Sequence, residues 1–464
     1  MTYPLDPSAE QMREMGEAAL AYVVGFIGAL DQAPASGVEG AWELAHRLRA
    51  TPPEDGGSFA DVLADVREAA AHAYETSGPG YLPYIPGGGL FTAALGEFLA
   101  LGVNRYVGLA APSPAVVQIE ENVCRWLCSL FGWDGRSQGV LTSGGSMANF
   151  SAMVAARHAK LGEGFTDGVY YVSEQAHASV TKAATLAGFS RRNVRLVATD
   201  DELRMDPDAL RRAVEQDLAA GHRPFLVVPS AGTTNTGAVD PLDAVADVAE
   251  EHGLWMHVDA AYGGFFILTE RGRERFGGIE RADSVTLDPH KGMFLPYGTG
   301  ALVVRDGENL RQAHYEGAAY LQDLATAGEL PNYSEYSAEL SREWRGLRVW
   351  LPLRLHGVRA FREALDEKLD LADALYEGLK GVPELELPWE PQLTVVTFRL
   401  RDDDRVRNEA LLERINASER VFLSSTMIHG RYTIRACIVS HRTHRDRIEE
   451  CIAIVRRAAS EVAR

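Results

Sequence analysis

The sequence predicts an α/β fold, a seven-stranded and mostly parallel sheet covered by helices, followed by a smaller α+β domain at the C-terminal end. Three observations carry this. Between residues 139 and 305, seven short β-branched runs alternate with longer amphipathic stretches, the pattern of a parallel sheet with helices on both faces. Beyond that block a long helical stretch leads into strand-like runs closed by an amphipathic helix, which reads as a separate α+β unit. The chain has 464 residues, more than the roughly 250–300 over which a single hydrophobic core keeps growing.

In chain order, residues 8–30 read as an amphipathic helix and 119–131 as another, because apolar residues recur three or four apart. Residues 78–89, Gly-Pro-Gly-Tyr-Leu-Pro-Tyr-Ile-Pro-Gly-Gly-Gly, hold too many glycines and prolines for regular structure and form a loop rich in aromatics. Strands are expected at 139–141, 169–172, 194–197, 225–228, 255–258, 284–287 and 300–303, with helices at 146–161, 178–187, 206–219 and 241–251 between them. Residues 337–379 read as one long helical stretch, 393–400 and 432–440 as strands, 401–405 as a short acidic turn, and the chain closes on a helix from Arg445. The expected division is 1–90, a helical and loop segment; 91–365, the large α/β domain; and 366–464, the small domain.

Composition narrows function. Lys+Arg 46 against Asp+Glu 65 gives a net charge of −19, which repels phosphate backbones and anionic lipid, so neither nucleic acid nor a membrane surface is an expected partner. The apolar run 18–30 is interrupted by Gly25 and Gly28 and falls short of the ~20 residues of a bilayer crossing. Asp6, Glu10 and Glu14 stand where a secretory signal would be basic, so the expectation is a cytoplasmic protein. Four cysteines, of which only Cys124 and Cys128 are close in sequence, read as buried reduced thiols, and no metal is expected. His441-Arg-Thr-His444 lacks a third ligand nearby and reads as a solvated loop.

Lysine is scarce: Lys160, Lys182, Lys291, Lys368 and Lys380 are all there are. Four fall on the polar faces of helical stretches. Lys291 follows a strand, in Asp288-Pro-His-Lys291, at the carboxyl edge where open α/β sheets bind ligands. A lysine desolvated there can attack a carbonyl carbon, although a snorkelling surface lysine gives the same local sequence. His257-Val-Asp259-Ala-Ala261 brings a carboxylate to the same edge; it suits a cofactor ring nitrogen, and equally a helix cap. Ser143-Gly144-Gly145-Ser146 turns from strand into helix, so its N–H groups can hold a phosphate; a plain tight turn uses the same residues. Cradle, carboxylate and lysine in that order describe a pyridoxal phosphate site better than any one alone.

These stretches, with Gln175-Ala-His177-Ala-Ser-Val180, Ser230-Ala-Gly-Thr-Thr234 and Trp344-Arg-Gly-Leu-Arg-Val-Trp350, resemble the corresponding stations of the group II pyridoxal-phosphate-dependent amino-acid decarboxylases, the family of the aromatic-L-amino-acid and glutamate decarboxylases. The resemblance spans most of the chain. It implies the fold type I transferase (aspartate aminotransferase-like) architecture, pyridoxal 5'-phosphate as cofactor, and a homodimer whose active site lies at the subunit interface, with residues 1–90 packed on the partner. Lys291 then forms the Schiff base, Asp259 pairs with the ring nitrogen, His177 and Ala261 flank the ring, and Gly145 and Ser146 hold the phosphate. Thr234 lies beside the cofactor, and His290 takes a family histidine position that simple packing would also explain. Tyr333, in the polar stretch 330–336, takes the place of a mobile-loop tyrosine that returns a proton to the α-carbon. Family members that make aldehydes replace that tyrosine or the ring-stacking histidine, so plain decarboxylation is expected.

The side-chain pocket is assigned by the same resemblance to Tyr81, Tyr84, Ile85, Tyr106 and Gly108, contributed partly by the partner. Gly108 and Ala110 stand where aromatic-acid decarboxylases carry bulky aromatics, which reads as a widened pocket. Arg105 is the lone basic residue of these segments, so an aromatic or large apolar substrate is expected over an acidic one. Asp288 departs from the asparagine usual near the phosphate and would repel it unless turned away. An aminotransferase, an oxidative deaminating decarboxylase and a non-enzymatic cofactor-binding module are the alternative functions.

Overall fold

The computed structural model describes residues 5–316 and 329–462. Its large sheet consists of β1 (Gln138–Thr142), β2 (Gly168–Ser173), β3 (Val194–Val197), β4 (Arg223–Val228), β5 (Trp255–Asp259), β6 (Ser284–Leu287) and β7 (Gly300–Val304), in the order β1-β7-β6-β5-β4-β2-β3. Every strand expected in this sheet is present within two residues. β7 alone runs antiparallel to its neighbours β1 and β6. A parallel return is usually made by a crossover helix packed on the sheet; the link from β6 to β7 carries only the single helical turn Pro289–Gly292. Six of the seven strands are buried along most of their length, as a sheet covered on both faces requires.

The small sheet runs β10-β11-β9-β8, from β8 (Leu385–Glu386), β9 (Val395–Leu400), β10 (Ser424–Ile428) and β11 (Arg431–Cys437). Helices Arg405–Asn416 and Arg445–Val462 pack on it. The two sheets have separate cores, and the helix Gly346–Lys380 serves both: Phe361, Leu365 and Leu369 join the large core, Leu371, Leu375 and Leu379 the small one.

Three expectations are corrected. The helical stretch of 337–379 begins only at Gly346 and is broken at Gly357, whose φ of 74° ends one helix and starts the next. Lys368 is on no polar face: its side chain is wholly buried, with Nζ 2.7 Å from Glu367 and bonded to the Thr443 carbonyl. The 441–444 loop is only partly solvated, since His441 packs 5.7 Å from Phe294 and its Nδ1 is buried. Cys124, Cys128, Cys437 and Cys451 are buried and unpaired. Among the described residues no helix is long and apolar enough to cross a membrane.

Candidate active site

A cavity of about 340 Å³ opens at the carboxyl edge of the large sheet. The turn after β1 supplies Gly145 and Ser146, the turn after β2 supplies His177, the loop after β4 supplies Thr234, β5 ends in Asp259 and Ala261, and the turn after β6 carries Asp288, His290 and Lys291. All eight residues expected at a cofactor line this one space. Parallel strands make this convergence: each reaches the edge in the same direction, so residues far apart in sequence arrive together.

The helix Gly145–Leu161 opens without a side-chain cap, which leaves its first N–H groups directed at the cavity. Gly145 is closely packed there: a Cβ would lie 3.1 Å from Ala261 Cβ and 3.0 Å from Asp288 Oδ2. Lys291 Nζ sits 3.0 Å from the same Asp288 oxygen. His290 Nδ1 lies 2.6 Å from the Thr299 carbonyl, and burial pushes its pKa below the usual histidine value.

Behind the cavity a buried polar chain runs from β5 to His177. Trp255 Nε1 donates to Ser284 Oγ (2.8 Å), which lies 2.8 Å from His257 Nδ1. His257 Nε2 is 3.0 Å from Asn149 Oδ1, which also accepts from Thr286 Oγ1 at 2.8 Å. Asn149 Nδ2 donates to Asp259 Oδ2 at 3.0 Å and to Ser179 Oγ at 2.9 Å. Ser179 reaches His177 Nδ1 with its hydroxyl (2.7 Å) and its backbone N–H (3.2 Å). Burial lowers the His257 pKa to about 4, so its ring is neutral at pH 7. One assignment then gives every donor an acceptor: His257 donates from Nε2 to Asn149, and His177 accepts at Nδ1, which puts its own proton on Nε2. The Asp259 carboxylate is thereby held by two donors, Asn149 and the Ala261 N–H at 3.2 Å.

Other expected residues lie elsewhere. Tyr333 opens the short 3₁₀ turn Tyr333–Glu335, is 0% exposed, donates to Glu121 Oε2 at 2.9 Å and packs under the Arg342 guanidinium. Arg342 in turn forms a wholly buried pair with Glu120 at 2.9 Å. Tyr333 thus lies in the core and does not line this chain's own cavity. The Tyr333→Phe variant is expected to lose about 1–3 kcal/mol of stability, the cost of leaving a buried acceptor with one donor fewer, while kcat per folded enzyme stays within twofold. Denaturant unfolding and amine release measure the two; a hundredfold fall in kcat at unchanged stability contradicts the assignment.

Of the expected side-chain pocket, Tyr81, Tyr84, Ile85, Tyr106 and Gly108 line no part of this chain's own cavity. Tyr81 and Ile85 are buried in the loop 78–89, whereas Tyr84 is 55% exposed. That loop packs on the segment after Lys291: Leu90 donates to the Phe294 carbonyl at 2.8 Å, and a Cβ on Gly87 would meet the His290 carbonyl at 2.6 Å. Tyr106 Oη donates to the Leu340 carbonyl at 3.1 Å. On this chain the space beside Gly108 is taken up by Tyr106, since a Cβ there would lie 2.3 Å from Tyr106 Oη.

Residues 43–401 match the pyridoxal-dependent decarboxylase conserved domain. The chain belongs to the pyridoxal-dependent decarboxylase family. It is similar to an aromatic-L-amino-acid decarboxylase of Bacillus atrophaeus, 33% identical over 100% of this chain and 98% of the relative. A phenylacetaldehyde synthase of Arabidopsis thaliana is 29% identical over 98% and 97%. The solved structure of Oryza sativa TDC with PLP and tryptamine shares 26% identity and 99% of each chain, with a TM-score of 0.94. The protein is therefore a pyridoxal-phosphate-dependent amino-acid decarboxylase of fold type I.

The cavity of this decarboxylase suits that cofactor. It has an uncapped helix N-terminus for a phosphate, a cradle tightly packed around Gly145, a buried carboxylate and an amine, all on one sheet edge. Sequence reasoning did not single out Asn149, Ser179 and Tyr297. Asn149 stands four residues after Gly145, one turn along the helix and on the same face, which is the signal that would have found it. Tyr297 lines the cavity from the link into β7 and packs 5.7 Å from His290. A second tie comes from Arg435 on β11, whose guanidinium bonds the carbonyls of Thr234, Asn235 (3.1 Å) and Tyr84 (3.0 Å), fastening the small domain to the cavity wall.

Proposed function

We propose that this decarboxylase acts on an aromatic or large apolar L-amino acid, releases carbon dioxide and the primary amine, and holds its cofactor through Lys291. The observation that carries the reading is the convergence of Lys291, Asp259 and the Gly145 helix N-terminus on one cavity. Bound there, pyridoxal phosphate supplies an electron sink for the pair left behind when the carboxyl group departs. Asp259 keeps the ring nitrogen protonated, which is why its carboxylate is buried and doubly held. Gly145 and Ser146 donate N–H groups to the phosphate, Ala261 and His177 flank the ring, and Thr234 and His290 close the cavity beside it. With Nδ1 occupied, His177 has a donor left at Nε2 for the substrate carboxylate, which orients that group for loss.

The substrate class rests on the relatives, whose names specify aromatic amino acids and tryptamine, and on the lone Arg105 of the expected pocket segments. A homodimer belongs to the same reading. Helix Ala9–Ala29 buries no residue and exposes Leu20 and Val24, helix Phe59–Ala71 exposes Val62 and Val66, and Phe98 is 70% exposed, an apolar surface that a second copy covers. Tyr81, Tyr84, Ile85, Tyr106 and Gly108 then serve the cavity of the partner or its rim. Sedimentation at micromolar concentration is expected to give twice the chain mass; a monomer removes the interface site. The small domain is taken from residue 366, and the four unpaired buried cysteines support a reducing, cytoplasmic setting.

The aldehyde-forming alternative has a specific point in its favour, the phenylacetaldehyde synthase among the relatives. With Tyr333 in the core, the argument against it rests on His177 alone. Product analysis with tryptophan, tyrosine and phenylalanine decides. Amine and carbon dioxide in equal amounts without oxygen uptake are expected; aldehyde with oxygen consumed, or a keto acid, overturns the reading.

A further inference from the structure

Asp288 is the one cavity residue whose charge opposes the ligand expected there. Its side chain is 2% exposed, and Oδ2 lies 3.0 Å from Lys291 Nζ and 3.6 Å from His290 Nε2. The same oxygen stands 3.0 Å from where a Cβ on Gly145 would be, so the carboxylate is wedged between the amine and the helix N-terminus. Oδ1 is buried and has no hydrogen-bond partner. Burial disfavours the charged form of His290, and the Lys291 ammonium is the nearer cation, 3.0 Å from Oδ2.

We propose that Asp288 is a positioning residue that holds the Lys291 ammonium beside the phosphate cradle and, once the lysine is committed to the cofactor, turns its charge against the phosphate, so that cofactor retention is deliberately limited. The inference rests on the reading of Lys291 and Gly145 given above. Capture requires the ammonium to release a proton to solvent; the neutral amine then adds to the aldehyde carbon, and the aldehyde oxygen leaves as water with the two amine hydrogens. The carboxylate exchanges a free ammonium for an imine nitrogen whose proton is shared with the ring hydroxyl, so its counter-ion is weakened in that step. It is left desolvated, with one oxygen already unpartnered, next to N–H groups that must now face a dianion. A neutral side chain of similar size removes the repulsion and leaves the cradle in place.

The test titrates cofactor-free wild type, Asp288→Asn and Asp288→Ala with pyridoxal phosphate and with pyridoxal, the same aldehyde without phosphate, and reads both dissociation constants from absorbance. Both aldehydes condense with the lysine alike, so the ratio of the two constants cancels whatever the substitution does to Lys291 or to general packing. The ratio is expected to move at least tenfold toward the phosphorylated aldehyde in both variants. A ratio within threefold of wild type in either one overturns the proposal; a gain in Asp288→Asn alone would credit the new amide rather than the lost charge. Failure of the underlying reading looks different: wild type itself then forms no yellow lysine adduct with either aldehyde.

Discussion

Lys291→Ala is expected to leave a folded protein that cannot be turned yellow by pyridoxal phosphate and makes amine about 10³-fold more slowly or worse, because the covalent attachment and the group exchanged for substrate are lost together. The fold has to be checked alongside. Removing the ammonium strands the buried Asp288 carboxylate, whose other oxygen already lacks a partner, and an uncompensated buried charge costs about 3–5 kcal/mol. Circular dichroism at 25 °C separates loss of the adduct from loss of structure. A folded variant that keeps the visible band assigns the attachment to another group.

Asp259→Asn is the second large effect. Asp259 is 7% exposed and accepts from Asn149 and from the Ala261 N–H. The amide offers one acceptor oxygen where the carboxylate offers two, so one donor loses its partner and, on the proposed reading, the ring nitrogen loses the anion that keeps its proton. Breaking a buried pair on one side costs about 3–5 kcal/mol, which corresponds to about 10²–10⁴ in rate when the interaction is felt in the transition state. The variant is expected to bind the cofactor and give the adduct band yet release amine at that reduced rate. A rate within threefold of wild type means that the ring nitrogen does not depend on Asp259.

Those two residues were legible from sequence because strand ends announce themselves: an apolar β-branched run followed by a polar residue and small ones fixes both the strand and the edge at which the polar group emerges. The same logic located all seven strands of the large sheet. It failed where burial is decided by long-range packing. Tyr333 sits in a polar, proline-containing stretch, and nothing local shows that Glu121 and Arg342, from distant segments, enclose it. Lys368 fails in the same way. Burial lowers its pKa, which by itself would nominate it for amine chemistry, but Glu367 and the Thr443 carbonyl hold the nitrogen away from the cavity. Burial therefore does not single out the proposed attachment lysine; position at the sheet edge does. Gly108 shows the limit of reading space from residue size, since the volume that a glycine vacates is taken by Tyr106, two residues earlier. β8 and β10, two strands of the small sheet, were not anticipated because one is only two residues long and the other is half polar.

With five lysines in the whole chain, covalent trapping gives an unambiguous answer. Holoenzyme reduced with borohydride, digested and sequenced by mass spectrometry is predicted to carry the reduced cofactor on Lys291 and on no other residue; modification of Lys160, Lys182, Lys368 or Lys380, or of none of the five, contradicts the account.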